Sequence, residues 1–263
     1  MPDGTLSHAG EWLAGHGLAD ARPTPVLAAR LAVRRRSRVG AALLLAAFII
    51  ATALVYTVGI VGRSGSHPRW PLLVLTALVL GLVLAQSLLD RWVRLVDRRV
   101  GATLPRRAAH PVRLGWRTVL GLPRAAFAAI TFASGIVLAI GVLATRDPVA
   151  RYAAVILLIG LCGIAAGVLV QLRHILTRPT VADDETSLTA DVVMRVEDAR
   201  EAALPTVVWA VWTLPVVSVF GTGFGWWTAA WPAFIVVSVV ALGLIDARTP
   251  RSGTVARQVV SAP

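Results

Sequence analysis

The chain has 263 residues, of which 56% are hydrophobic and only 15% charged, against about 25% charged in an ordinary soluble domain. So few charges cannot cover a soluble globule of this size, and so apolar a chain is not a disordered one, which leaves an integral membrane protein. The formal net charge is +12, from 26 basic and 14 acidic residues, and it is distributed unevenly enough to set a topology.

A spanning helix needs about 20 apolar residues, and six stretches meet that need. Residues 1–38 form a basic N-terminal tail with six Arg, ending in Arg34-Arg35-Arg36-Ser37-Arg38. The uncharged stretch 39–62 follows. A basic run before an apolar one also opens a signal peptide. This apolar stretch is about 24 residues long, against about 7–15 in a signal peptide, so it reads as an uncleaved first span. The second span is 70–89.

The linker 90–124 carries nine Arg and two Asp. Leu89, Trp92, Val93, Val96 and Val100 recur at helical spacing, with Arg91, Arg94 and Arg98 on another face. This pattern predicts a basic amphipathic helix at the inner membrane surface. Arg91, Arg94, Arg98 and Arg99 are its candidate contacts, with anionic lipid headgroups or with a cytoplasmic protein partner. Each basic residue near such a surface contributes about 1 kcal/mol. Nucleic acid is not an expected partner, because the positive-inside rule already accounts for basic residues that adjoin spans.

The third and fourth spans are 125–145 and 152–172. The fourth holds Gly160, Gly163 and Gly167; the last two form a small-xxx-small pair that lets two helices approach closely, within the chain or between copies in a homo-oligomer. Cys162 is the single cysteine; it excludes an intrachain disulfide and reads as a small buried hydrophobe. Val83-Leu84-Ala85-Gln86 closes the second span and Val168-Leu169-Val170-Gln171 the fourth, a faint internal repeat.

The linker 173–203 is acidic, with seven Asp or Glu against four Arg. From Leu188 the stripe Leu188, Val192, Val196, Ala199 and Ala203 predicts a second amphipathic helix, with Asp191–Arg195 and Glu197–Arg200 as favourable pairs along it. Asp183, Asp184 and Glu185 are its candidate acidic contact, and docking on the basic first linker is expected. The run lacks the alternating ligands and central Gly of a calcium loop, so it is not read as a metal site.

The stretch from Leu204 to Ile245 is too long for one span; Gly221-Thr222-Gly223-Phe224-Gly225 divides it into spans 204–220 and 225–245. Pro215 removes a backbone donor mid-span and predicts a kink, with Trp209 and Trp212 before it. A cytoplasmic C-terminal tail, 246–263, completes the chain.

Segments of one parity (both tails and the linkers 90–124 and 173–203) hold 22 Arg and the alternate loops four, which places both termini in the cytoplasm. Trp70, Trp226, Trp227, Trp231 and Tyr152 then fall at outer ends of spans, as a membrane belt does. The expected fold is an all-α membrane protein: six transmembrane helices as three hairpins (spans 39–62, 70–89, 125–145, 152–172, 204–220 and 225–245, within a domain 39–245), with two amphipathic cytoplasmic linker helices. The localisation it implies is a multi-pass protein of the cell membrane. The skew toward Arg, Ala, Gly and Val is that of a GC-rich bacterial genome.

The six spans contain no ionisable residue, and the five histidines lie in tails or linkers. That excludes an intramembrane carboxylate for ion coupling, paired His ligands for haem and a base for intramembrane serine chemistry. No catalytic residue, cofactor or metal is assigned. The chain has no Lys, hence no phosphate-binding Gly-Lys-Ser/Thr loop of its own.

Arg178-Pro179-Thr180-Val181-Ala182-Asp183-Asp184, with Ser187-Leu188, Ala190-Asp191, Arg195 and Asp198-Ala199, resembles a segment of actinobacterial integral membrane proteins, a likeness over about 20 residues that implies no activity. The six-span layout is similar to that of permease subunits of ABC-2-type exporters, a likeness of topology alone. Three functions are therefore expected in turn. They are a non-catalytic scaffold or accessory subunit, a permease subunit with a separate ATPase, and a membrane enzyme at the cytoplasmic face using Asp183, Asp184 and His174.

Overall fold

The computed structural model describes residues 3–61, 70–102, 115–144, 146, 148–178, 185–204, 206–211 and 226–261. These are all-helical, with no strand among the described residues. In chain order the helices are α1 (Asp3–Gly15), α2 (Pro25–Val61), α3 (Trp70–Ala102), α4 (Trp116–Leu120), α5 (Leu122–Leu143), α6 (Pro148–Thr177), α7 (Glu185–Ala202), α8 (Thr206–Val211), α9 (Trp226–Arg248) and α10 (Ser252–Val260).

Stretches of α2, α3, α5 and α6 are each long and apolar enough to cross a membrane, and α9 with α10 makes a fifth if the pair, bent by 42°, is one span. The predicted span 204–220 is described only to Val211, so Pro215 and its kink lie outside the described residues. The side chains of Trp70, Trp226, Trp227 and Trp231 also lie outside them. Large apolar side chains face outward along these helices, among them Leu43, Ile50, Leu84, Val137, Leu169 and Val237. Such a surface suits hydrocarbon rather than water. Cys162 is exposed on α6, contrary to the expectation that it is buried; in an apolar span the outward face is as hospitable to a thiol as the core.

Three helices are longer than a bilayer requires. α2 has 37 residues, α3 has 33 and α6 has 30, or about 55, 50 and 45 Å against a hydrocarbon layer of about 30 Å. The surplus lies at the N-terminal end of α2 and the C-terminal ends of α3 and α6, where the arginines are. The tail 1–38 is therefore α1 plus the first turns of the α2 rod. The basic stretch predicted to be helical from residue 89 is helical as the continuation of α3: between Leu89 and Arg99 no Gly or Pro interrupts the chain, and α3 runs unbroken to Ala102.

The three overhanging ends enclose α7 together with α1, α4 and α10. One apolar cluster joins Val119 and Leu120, Ile175, Val192, Val193, Val196 and Ala199, and Val255. A second joins Ala9 and Leu13, Leu27 and Leu31, and Ala190 and Met194. Helix α7 is thus buried on nearly every side from Thr189 to Val196. It is the core helix of a compact unit: the stripe Val192, Val196 and Ala199 packs into the apolar cluster, and its polar face is covered too.

Local chemistry fixes the ends. Gly17, with φ of 74°, closes α1: Leu18 N–H donates to Leu13 O and Gly17 N–H to Ala14 O, the paired bonds of a Schellman ending. Gly121, also at φ 74°, breaks α4 from α5, and Pro123 then enters the first turn of α5 without loss of a needed donor.

Candidate functional site

The unit around α7 is held by a cluster of four guanidinium and three carboxylate groups. Arg30 and Arg34, one turn apart on α2, face the unit. Arg30 donates through Nη2 to Asp191 Oδ1 at 2.6 Å and through Nε to Asp97 Oδ1 at 3.2 Å. Arg34 donates through Nε to Asp198 Oδ1 at 2.9 Å and through Nη2 to Asp97 Oδ2 at 2.8 Å. Arg178, at the end of α6, donates to the same Asp97 oxygen at 2.7 Å. Arg195 donates to Asp191 Oδ2 at 2.8 Å, the i,i+4 pair the sequence predicts. Asp191 and Arg195 have no exposed surface.

Burial alone would raise the Asp191 carboxyl, but Arg30, Arg178 and Arg195 hold it below the usual carboxylate range. Burial lowers the Arg195 guanidinium, against the pull of Asp191. The cluster ties α2, α3, α6 and α7 together, and the partners of the acidic helix are the arginines of the N-terminal rod. Arg38 extends the row to Glu201 at 2.6 Å, an exposed pair. Among the described residues Arg91, Arg94, Arg98 and Arg99 form no ion pair with α7, and the first linker contributes an acid, Asp97. Arg91, Arg98 and Arg99 are exposed.

A second contact docks α1. His16 Nε2 lies 2.8 Å from Glu197 Oε1 and its Nδ1 2.7 Å from Trp12 O. The bond with Glu197 raises the imidazole above its ordinary value, against the effect of burial. Burial raises Glu197, but the same bond together with the charges of His16 and Arg38 and a bond with Trp12 holds the carboxyl below its ordinary value. The expected Glu197–Arg200 pairing gives way to this contact; Arg200 instead donates to Pro250 O at 3.0 Å.

Between the rods lies a cavity of 390 Å³. Its mouth carries Arg38, Asp90, Arg94, Asp97, His174 and Glu201, and its inner wall is apolar, with Leu45, Val83, Ile164 and Val207. Gln86 and Gln171 both line it, as do Val83 and Val168, so the faint repeat brings equivalent residues of α3 and α6 to one space. The glycines shape it. A Cβ on Gly160 would come within 2.9 Å of Val79 Cγ1 and one on Gly163 within 3.0 Å of Val83 Cγ1, whereas one on Gly167 would meet nothing. Gly160 and Gly163 thus seat α6 against α3 within one chain, and Gly167 opens onto the cavity.

Asp183 and Asp184 lie outside the described residues, and Glu185 is the exposed first residue of α7. Among the described residues no group of three or more His, Cys, Asp or Glu side chains is placed to hold a metal ion. Sequence reasoning assigns Arg30, Arg34 and Asp97 to topology and misses their pairing. The available signal is the i,i+4 spacing of the two arginines and the i,i+7 spacing of Asp191 and Asp198, each pair on one helical face.

No family model matches the chain, and neither a curated protein nor a solved structure matches it.

Proposed function

We propose that the chain is a six-span protein of the bacterial cell membrane, three hairpins with both termini and both linkers in the cytoplasm, acting as a non-catalytic scaffold or accessory subunit. The arginine bias supports the orientation. The contacts of α1, α7 and α10 with the overhanging ends of α2, α3 and α6 support a common side for all these segments. The observation that carries the scaffold reading is the ion-paired cluster: Arg30, Arg34, Arg178 and Arg195 are engaged with Asp97, Asp191 and Asp198. The buried charges of the unit thus hold helices in place instead of meeting a substrate. Its exposed arginines, Arg91, Arg98 and Arg99, suit anionic headgroups of the inner leaflet or an acidic face of a cytoplasmic partner.

Affinity purification of the full chain from crosslinked native membranes tests this. A reproducible protein partner is expected; recovery of the chain alone, or only of further copies of itself, sinks the accessory reading. A second reading, a permease subunit served by a separate ATPase, is favoured by the 390 Å³ cavity with a charged mouth and apolar wall, which suits an amphiphile. Co-purification of an ATPase supports it.

A further inference from the structure

A different space lies on the side of the inner unit where α5, α7, α9 and α10 converge. It measures 320 Å³ and is lined by Arg124, Arg200, Arg251, Asp246, Thr249 and Ser252, with His16 and Gly15 at one edge. Three guanidinium groups face one carboxylate. Arg124 is more than nine-tenths buried. It donates through Nη2 to Asp246, and its buried Nε has no partner among the described residues. Arg200 is half-buried, with Val119 O and Pro250 O as its acceptors. Among the described residues neither Arg200 nor Arg251 takes part in an ion pair.

Burial pushes the Arg200 guanidinium down, against the pull of Glu197 one turn before it on α7. Ser252 opens α10, whose N-terminus has no side-chain cap, so the positive end of a nine-residue helix adds to the field. Ser252 places a hydroxyl beside the arginines, while the Thr249 hydroxyl donates to Ile245 O.

Three guanidinium groups against one lining carboxylate, with the buried Arg124 Nε left without a partner among the described residues, favour an anion in this partly enclosed pocket. The planar forks of Arg match a tetrahedral oxyanion by paired hydrogen bonds. The depth of the pocket narrows the source, because Arg124 begins one membrane-length helix and Asp246 ends another, at the level of lipid headgroups. We propose that this pocket binds a phosphate group, presented by an anionic lipid headgroup or by a free phosphate compound, with Arg124, Arg200 and Arg251 as its ligands. The inference stands apart from the scaffold reading and uses none of the residues that carry it.

The test uses the full chain with two probes. One is inorganic phosphate added to protein in neutral detergent, against chloride at equal ionic strength, read by thermal unfolding. The other is nanodiscs of phosphatidylcholine with or without phosphatidylglycerol, read as lipid retained in native mass spectrometry. Stabilisation by phosphate identifies a free phosphate as sufficient; retention of phosphatidylglycerol without a phosphate effect identifies the headgroup. In either case R251Q and R200Q, with probe-free melting temperatures checked first, weaken binding about tenfold each. R22Q, the same charge change at an exposed arginine elsewhere, leaves it unchanged. No response to either probe, or equal weakening by R22Q, overturns the proposal. Should R200Q fail to fold, exposed Arg251 decides the matter alone.

Discussion

Arg30 and Asp191 meet at 2.6 Å, with side-chain exposures of 6% and 0%, across 161 residues of sequence. The pair joins the N-terminal overhang of α2 to the centre of α7. A buried ion pair is seldom a large net gain over apolar residues of the same shape, yet removing one partner leaves a charge stranded in a poor dielectric.

D191N is therefore expected to destabilise the protein by about 3–5 kcal/mol, because Arg30 and Arg195 lose their shared anion, an amide NH2 replaces one acceptor oxygen, and Arg178 loses the carboxylate 3.6 Å away. A double-mutant cycle with R30M checks it through unfolding of the detergent-solubilised protein. The double variant is expected to lose clearly less than the sum of the singles; additive losses would show that the two side chains do not interact.

The His16–Glu197 contact gives the docking of α1 a pH dependence. His16 is raised on folding, so its contribution is complete below the unfolded value of about 6.5 and disappears as pH rises through the higher folded value. Glu197 is lowered, so its contribution is present above its unfolded value and disappears as pH falls through the folded one. H16Q should cost about 1–2 kcal/mol near pH 6 and much less near pH 9. A pH-independent loss, in melting curves of both proteins across that range, would refute the assignment.

Gly160 and Gly167 should respond oppositely to the same change. G160A presses a methyl group toward Val79 at 2.9 Å and Val211 at 3.1 Å and is expected to cost about 1–3 kcal/mol, partly recovered by V79A. G167A meets open space and should stay within about 0.5 kcal/mol of the parent or gain slightly from helix propensity. Equal thermal shifts for the two would contradict the seating of α6 on α3.

At the junction of the two termini, a Cβ on Gly253 would lie 2.4 Å from the His16 carbonyl oxygen, a backbone atom that cannot turn aside. G253A is expected to lift α10 from α1 and expose the C-terminal segment. Limited proteolysis should then remove residues beyond Arg248 faster than from the parent; unchanged cleavage would count against the contact.

Four helices long and apolar enough to cross a membrane were legible because a long apolar run has one physical meaning in any context. The unit around α7 was not. Hydropathy marks where charge begins but not whether a helix stops there, and α2 and α3 continue well into their arginine-rich ends. The stripe on α7 identified its apolar face correctly, but a charged opposite face looks the same whether water or arginines lie against it. Asp97 illustrates the limit: as one of two acids in a linker of nine Arg it reads as incidental, yet it accepts from Arg30, Arg34 and Arg178. Pairings across 60 to 160 residues leave no periodic trace.

The unbroken α2 rod has a mechanical consequence. With about 30 Å of its length set by hydrocarbon and about 25 Å projecting beyond, it is a lever whose fulcrum is the headgroup layer. A change of about 10° in its tilt, such as a thinner or thicker bilayer imposes, displaces the projecting end by about 4 Å. Arg30 and Arg34 ride on that end, and a displacement of this size exceeds the reach of their hydrogen bonds to Asp191 and Asp198. The ion pairs of Arg30 and Arg34 therefore tie the tilt of α2 to the position of α7.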